Sequence, residues 1–441
     1  MFSKLNHPLF GTILFLLAPL VLFSCSEDKE YITLLSTETD PKSVEIISIV
    51  ISEFEAEYPE IEVKAEFLGF EALYPKIVSG IASNNPPDVI GIQSNETVAL
   101  AVRNQLEPVT DIINSLGADD WIQSSLVKYK GEDWYVPYAV AVLSLYTRTD
   151  LLEKYDMTVP ETWPEFLEFC KKLTLDTDND GVIDIYGTAI PLGNGQATVN
   201  FFLTQLYSND GSIFDADNNL IIDKKPNSDK VKETILFLKE LSKYAPPGCL
   251  NYEWKDLTNA YYSHNVATTY YAARVLTLVT QFAPDLDSLT EAAIYPYSKH
   301  AAPALFGDGW AITKGTKHIN LAKELIKRLV TGKHYIEFLH TVPMHLTPPR
   351  KSLVNSPEYL DNDLIKRHQT TLKVIEEVLP KTRSFITEHG HLNPYAGEIM
   401  KSQIIEEMIQ NVIANDMDLD KAISVAAGKI RELMRNLDSI R

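Results

Sequence analysis

The sequence predicts an α/β protein of two lobes joined by crossing strands. Three observations carry this. Residues 31 to 103 alternate short apolar strands with amphipathic helices, which is a βαβ rhythm. The apolar run Trp134 to Leu152 then leaves that unit, and a newly capped helix starts a second one at Thr162-Trp163-Pro164-Glu165. Finally, 441 residues exceed what one hydrophobic core usually serves.

Tyr31 to Leu35 reads as the first strand, and Asp40-Pro41 opens a helix with a side-chain acceptor followed by proline. Val44, Ile47, Ile51 and Phe54 recur at helical spacing until Tyr58-Pro59 ends the pattern. Ile61 to Phe67 alternates as a strand, Ala72 to Ala82 forms a helix, and Asp88 to Ile92 follows the breaker Asn84-Asn85-Pro86-Pro87. Open α/β sheets bind ligands beyond the carboxyl ends of their strands. The loops Ser36 to Thr39 and Gln93 to Glu96 occupy such positions, which makes Glu38, Thr39, Asn95 and Glu96 candidate contacts. Tyr135, Tyr138 and Tyr146 flank the expected crevice beside the crossing.

In the second unit, Phe166, Leu167, Phe169, Cys170 and Leu173 make an apolar helix face, and Leu192 to Gln196 reads as a crevice loop. Trp254, Tyr261, Tyr262, Tyr270 and Tyr271 cluster before Arg274. Aromatic faces beside a guanidinium suit a hydroxyl-rich ligand, although any one of these rings can equally serve the core. Phe306 to Thr313 returns the chain to the first lobe with Trp310 projecting, and Pro343 to Arg350 carries it back. The division expected is residues 31–140 plus 306–342 for one lobe and 141–305 plus 343–441 for the other.

Asp176-Thr177-Asp178-Asn179-Asp180-Gly181-Val182-Ile183-Asp184 has the spacing of an EF-hand-type Ca²⁺ loop, with oxygen ligands from Asp176, Asp178, Asp180, the Val182 carbonyl and Asp184. The usual twelfth-position glutamate is replaced by Gly187, which suits a structural ion over a sensor. A solvated acidic turn is the alternative. Mutual repulsion of four carboxylates within nine residues favours the cation.

The remaining signals exclude as much as they suggest. A formal charge of -20 repels phosphate backbones and argues against nucleic acid. No serine elbow, Walker loop or zinc-helix motif is present, so an enzyme is not expected. His389 and His391 read as a surface loop, and Cys170 as a buried free thiol, with its pairing to Cys249 left open. A short basic start, an apolar run from Leu9 to Phe23 and Ser24-Cys25 have the layout of a secretory signal. Ser24-Cys25 resembles the lipobox of bacterial lipoproteins, which implies a signal over residues 1–24, acylation of Cys25, a tether over 25–30 and membrane attachment through the lipid.

Taken together, VPYAVAVLSLYTRTDLLEKY, PETWPEF, DTDNDGVIDIYG and GDGWAITKGTKHINLAKELIKRLV resemble the extracellular solute-binding proteins of bacterial ABC importers, in the branch similar to maltose-binding protein. The resemblance implies a type II periplasmic-binding-protein fold whose lobes close on a small solute by hinge motion. It also implies a monomer outside the cytoplasm that hands the solute to permease subunits. Family contacts would fall at Ser36 to Thr39, Gln93 to Glu96, Tyr138, Tyr270 to Arg274, Trp310 and Met344 to His345, with Trp254 added from the aromatic cluster. Tyr-Tyr-Ala-Ala-Arg departs from the glycine-tryptophan pairing common in sugar binders. A sugar or oligosaccharide is the leading solute. Polyols, sugar acids and phosphate esters are the alternatives, with Arg274 and Arg350 as partners for an anion. A lipoprotein sensor without transport would need the same fold.

Overall fold

The computed structural model describes residues 30–439. The expected signal, tether and acylated Cys25 therefore lie outside the described residues, apart from Glu30. Strand β1 (Glu30–Ser36) runs into helix α1 (Pro41–Glu57), whose Asp40 cap accepts the Lys42 and Ser43 amides. Helix α1 buries Ile47, Val50, Ile51 and Phe54 on one face, as its apolar spacing requires. Strand β2 (Ile61–Phe67), helix α2 (Phe70–Ala82) and strand β3 (Val89–Gln93) complete two βαβ turns. β1 lies parallel to both β2 and β3. Every residue of β3 is buried, the pattern of a strand covered on both faces.

Gln93 leads directly into helix α3 (Ser94–Ala101), and the whole of that helix is buried. Further on, strand β4 (Val136–Val142) is followed after Leu143 alone by strand β5 (Ser144–Arg148). This is the predicted crossing. β4 pairs within the first sheet, and β5 belongs to a second, three-stranded sheet.

The second unit contains helix α4 (Trp163–Lys172) and helix α5 (Gln196–Ser208), then helix α6 (Trp254–Tyr262), strand β6 (Thr268–Tyr271), helix α7 (Arg274–Phe282) and strand β7 (Thr290–Ala293). Its sheet has the order β7-β5-β6. Thr162 and Glu165 form the predicted capping box of α4.

Strand β8 (Leu305–Thr313) returns to the first sheet between β3 and the two-residue strand Leu106–Glu107, and its first half also pairs antiparallel with β4. Helices α8 (Ile319–Leu329) and α9 (Gly332–Leu339) pack on α1. The chain then crosses once more, and Thr347 bridges to Val140 on β4. Late in the chain, helix α10 (Ala396–Lys401) docks on α3 so closely that a side chain at Gly397 would sit 2.4 Å from the Asn95 carbonyl. Cys170 and Cys249 are both buried and both unpaired. Among the described residues, no helix is long and apolar enough to cross a membrane.

Candidate functional site

Where β4 passes into β5, a cavity of about 430 Å³ opens beside Leu143. It lies at the carboxyl ends of β1 and β3, facing the starts of α5, α6 and α7. The first sheet contributes Thr37 to Asp40, Gln93, Phe306 and Asp308. Facing them are Asn194 to Ala197 and Asn200 around the start of α5, Glu253 and Trp254 at the start of α6, Tyr270 and Tyr271 from β6, and Arg274 opening α7. His345 and Leu346 close one side from the last crossing.

Of the expected contacts, Glu38, Thr39, Trp254, Tyr270, Arg274 and His345 line this cavity. Tyr138 and Trp310 stand behind its wall. Both are fully buried, with ring centroids 5.3 Å apart, and the Tyr138 hydroxyl donates to Glu38 Oε1 at 2.9 Å. Tyr138 thus holds Glu38, and Trp310 packs against Tyr138. Asn95 and Glu96 do not reach the cavity, because the predicted loop is the first turn of α3 and α10 covers it. Glu96 instead accepts the Gln93 amide at 3.2 Å and is pushed up to about 7 by burial. Tyr135 and Tyr146 are likewise core residues, and Tyr135 donates to the Ser125 carbonyl at 2.5 Å. Arg350 is turned away, donating to the Val330 carbonyl at 3.1 Å.

The aromatic wall is ordered by stacking. Trp254 and Tyr271 lie 5.8 Å apart at 11°, the Arg274 guanidinium sits 5.8 Å over Trp254, and His345 stacks on Tyr271 at 5.9 Å. Tyr270 points its hydroxyl inward, 2.9 Å from Thr204 Oγ1.

The opposite wall carries two acidic side chains, Asp308 and Glu38, and a third, Glu253, stands beside Trp254. Burial pushes Asp308 up to about 8, reinforced by the charge of Glu38, while a hydrogen bond from Gln93 and the charge of Arg274 act against it. Glu38 is raised for the same first reason, with Arg274 and Tyr138 opposing. It lines the crevice and is only partly exposed. Glu253 is pushed up to about 7 by burial, despite the hydrogen bond it accepts from Ala197. His345 is held well below the usual histidine range, first by burial and then by Arg274, and stays neutral.

Asp308, Glu253, Phe306 and Asn200 are site residues that the sequence reading missed. Asp308 left one signal, a charge inside an otherwise apolar strand. Glu253 gave none beyond its place before Trp254.

The aspartate loop closes on a bridge between Leu175 and Ile185. Carboxylate oxygens of Asp176, Asp178 and Asp184 lie within 4.8 Å of one another. Asp176 accepts the Gly181 amide at 2.9 Å, and Asp184 accepts the Thr177 amide at 2.7 Å. Asp180 stands outside that group, its Oδ1 taken by the Val182 amide at 2.7 Å. A Cβ at Gly187 would lie 2.3 Å from the Cys170 carbonyl, which explains why no glutamate stands at the twelfth position. His389 and His391 bond to backbone carbonyls of Phe214 and His389 and join no metal-like cluster among the described residues.

Residues 40–331 match the family model described as bacterial extracellular solute-binding protein. The chain belongs to that family. Solute-binding proteins of this kind are non-enzymatic, act outside the cytoplasm, and deliver small solutes to permease subunits. YcjN of Escherichia coli (strain K12), assigned as an ABC transporter periplasmic-binding protein, is 22% identical over 428 residues, covering 94% of this chain and 96% of that protein. Maltose-bound MalE3 of T. maritima has a TM-score of 0.76 at 21% identity, covering 91% of this chain and 99% of its own. A solute-binding protein from Agrobacterium radiobacter K84, in complex with ribitol, has a TM-score of 0.75 at 21% identity, covering 92% and 98%. These likenesses establish the two-lobe solute-binding fold.

Proposed function

We infer that this solute-binding protein captures a small polyhydroxylated solute, a sugar, short oligosaccharide or polyol, and presents it to an ABC permease. The observation that carries the reading is the cavity itself. Its volume of about 430 Å³ sits within the usual range for small-molecule sites, and it sets stacked aromatic faces opposite a ring of hydrogen-bonding side chains. Sugar C–H faces pack on rings while polar groups fix the hydroxyls. Maltose in MalE3 and ribitol in the Agrobacterium protein are the solutes of two similar structures. Sugar acids and phosphate esters fit less well, because carboxylates outnumber Arg274 in the lining.

Closure would stabilise the lobes around whatever both walls contact. A thermal-shift screen against sugars, polyols and sugar acids tests this. A solute at a hundred times its Kd should stabilise the folded state by about 2.7 kcal/mol. Silence toward sugars and polyols, with a response to acids, would refute the reading.

Two attachments complete it. A Ca²⁺ ion held by Asp176, Asp178 and Asp184 would brace the loop after α4, since converging carboxylates suit a hard cation. Acylation at Cys25 would tether the mature chain to the membrane, supported by the signal layout that precedes it.

A further inference from the structure

The geometry points to a solute that carries a protonated amine among its hydroxyls, an aminated sugar or polyol, held between the Glu38 and Asp308 carboxylates on one wall and the Trp254–Tyr271 face with Glu253 on the other. This rests on the small-solute reading above and narrows it.

Four carboxylates line the cavity, those of Glu38, Asp40, Glu253 and Asp308, against one guanidinium, that of Arg274. Asp40 is accounted for, since it caps α1 by accepting the Lys42 amide at 3.0 Å, and Glu253 takes part in the capping box at the start of α6, which leaves only its Oε1 without a partner. Glu38 holds one hydrogen bond from Tyr138, and Arg274 lies over Trp254. That leaves the cavity rich in acceptors and short of positive charge. A second observation marks the cavity as a ligand site. His345 is 7% exposed, lines the cavity, and its Nδ1 has no hydrogen-bond partner. A neutral imidazole offers one donor and one acceptor nitrogen, so the unpaired Nδ1 suits a polar group on the solute.

The charged and titratable groups facing Asp308 are Glu38, Glu96, Tyr135, Tyr138, Tyr271 and Arg274. Only the last is a cation, and burial, reinforced by the charge of Glu38, holds the acid protonated to about 8. An ammonium group arriving beside it would supply the missing charge, form an N–H···O hydrogen bond and expel the carboxyl proton to solvent. Rings of Trp254 and Tyr271 favour a cation on their faces as well as sugar C–H groups.

The test is calorimetric titration of the chain lacking residues 1–25 with matched sets: glucose, glucosamine and N-acetylglucosamine; sorbitol and its 1-amino-1-deoxy analogue; maltose and its amino analogue. The amine should bind at least about tenfold more tightly than its hydroxyl partner, the factor one charge-assisted hydrogen bond carries. Its binding at pH 7 should release protons, seen as an enthalpy that changes with the buffer. In Asp308→Asn the ratio of amine to hydroxyl affinity should fall toward one. Equal or tighter binding of the neutral members would overturn the amine proposal and leave the small-solute reading standing. Failure of every member to bind would remove both.

Discussion

Asp308 makes the folded protein sensitive to alkali in a way that one substitution should expose. In the folded chain its carboxyl keeps a proton up to about 8, whereas the ordinary aspartate value of 3.8 applies once the chain unfolds. Below both values the group favours neither state. Between them the unfolded state ionises first, so stability drains away as pH rises, and the full cost is present above about 8. At roughly 1.4 kcal/mol per pH unit, the gap has a ceiling of about 5–6 kcal/mol. Water reaching the crevice screens the charge, which brings the expected effect to about 2–3 kcal/mol. Asp308→Asn keeps the shape and removes the charge. It should therefore raise the unfolding free energy by about 2–3 kcal/mol at pH 8.5 and by less than about 1 kcal/mol at pH 5. Urea denaturation followed by tryptophan fluorescence measures both, and titrating groups remote from Asp308 cancel in the comparison with the parent chain. A difference that is the same at both pH values, or a loss of stability at pH 8.5, would refute the assignment of a buried protonated acid.

The remaining predictions concern the aromatic wall, the loop and the anchor. Trp254→Ala should weaken solute binding by about 2 kcal/mol, roughly thirtyfold, in a titration with whichever solute the screen identifies. Because Trp254 is only half-buried at the start of its helix, the unliganded melting temperature should move little. Chelation should lower the melting temperature and added Ca²⁺ restore it, and Asp178→Asn should abolish the response; a chelator without effect at micromolar protein would remove the metal. Cys25→Ala should abolish incorporation of labelled fatty acid and release the chain from membranes; unchanged retention would indicate an uncleaved anchor.

The sequence by itself determined the local architecture. Apolar spacing placed α1 on its correct face, Thr162 and Glu165 announced the start of α4, and the long apolar run located the crossing between sheets. These features depend on residues near one another in the chain, and their periodicity is visible in one dimension. Part of the aspartate loop was legible for the same reason, since oxygens of Asp176, Asp178 and Asp184 converge within nine residues while Asp180 stands aside. Tertiary structure decided which strand-end residues face the cavity. Gln93 to Glu96 looked like a second crevice loop, yet α10, drawn from three hundred residues downstream, seals Asn95 and Glu96 into the interior. Tyr138 and Trp310 were found near the site, but as the support behind Glu38. The acidity of the cavity belongs wholly to the fold. Glu38, Glu253 and Asp308 are far apart in sequence, and only the crossing of the chain brings three carboxylates and one guanidinium around the same small volume. Burial there, a property that no single stretch of sequence carries, sets their charge and thereby the chemistry the cavity selects.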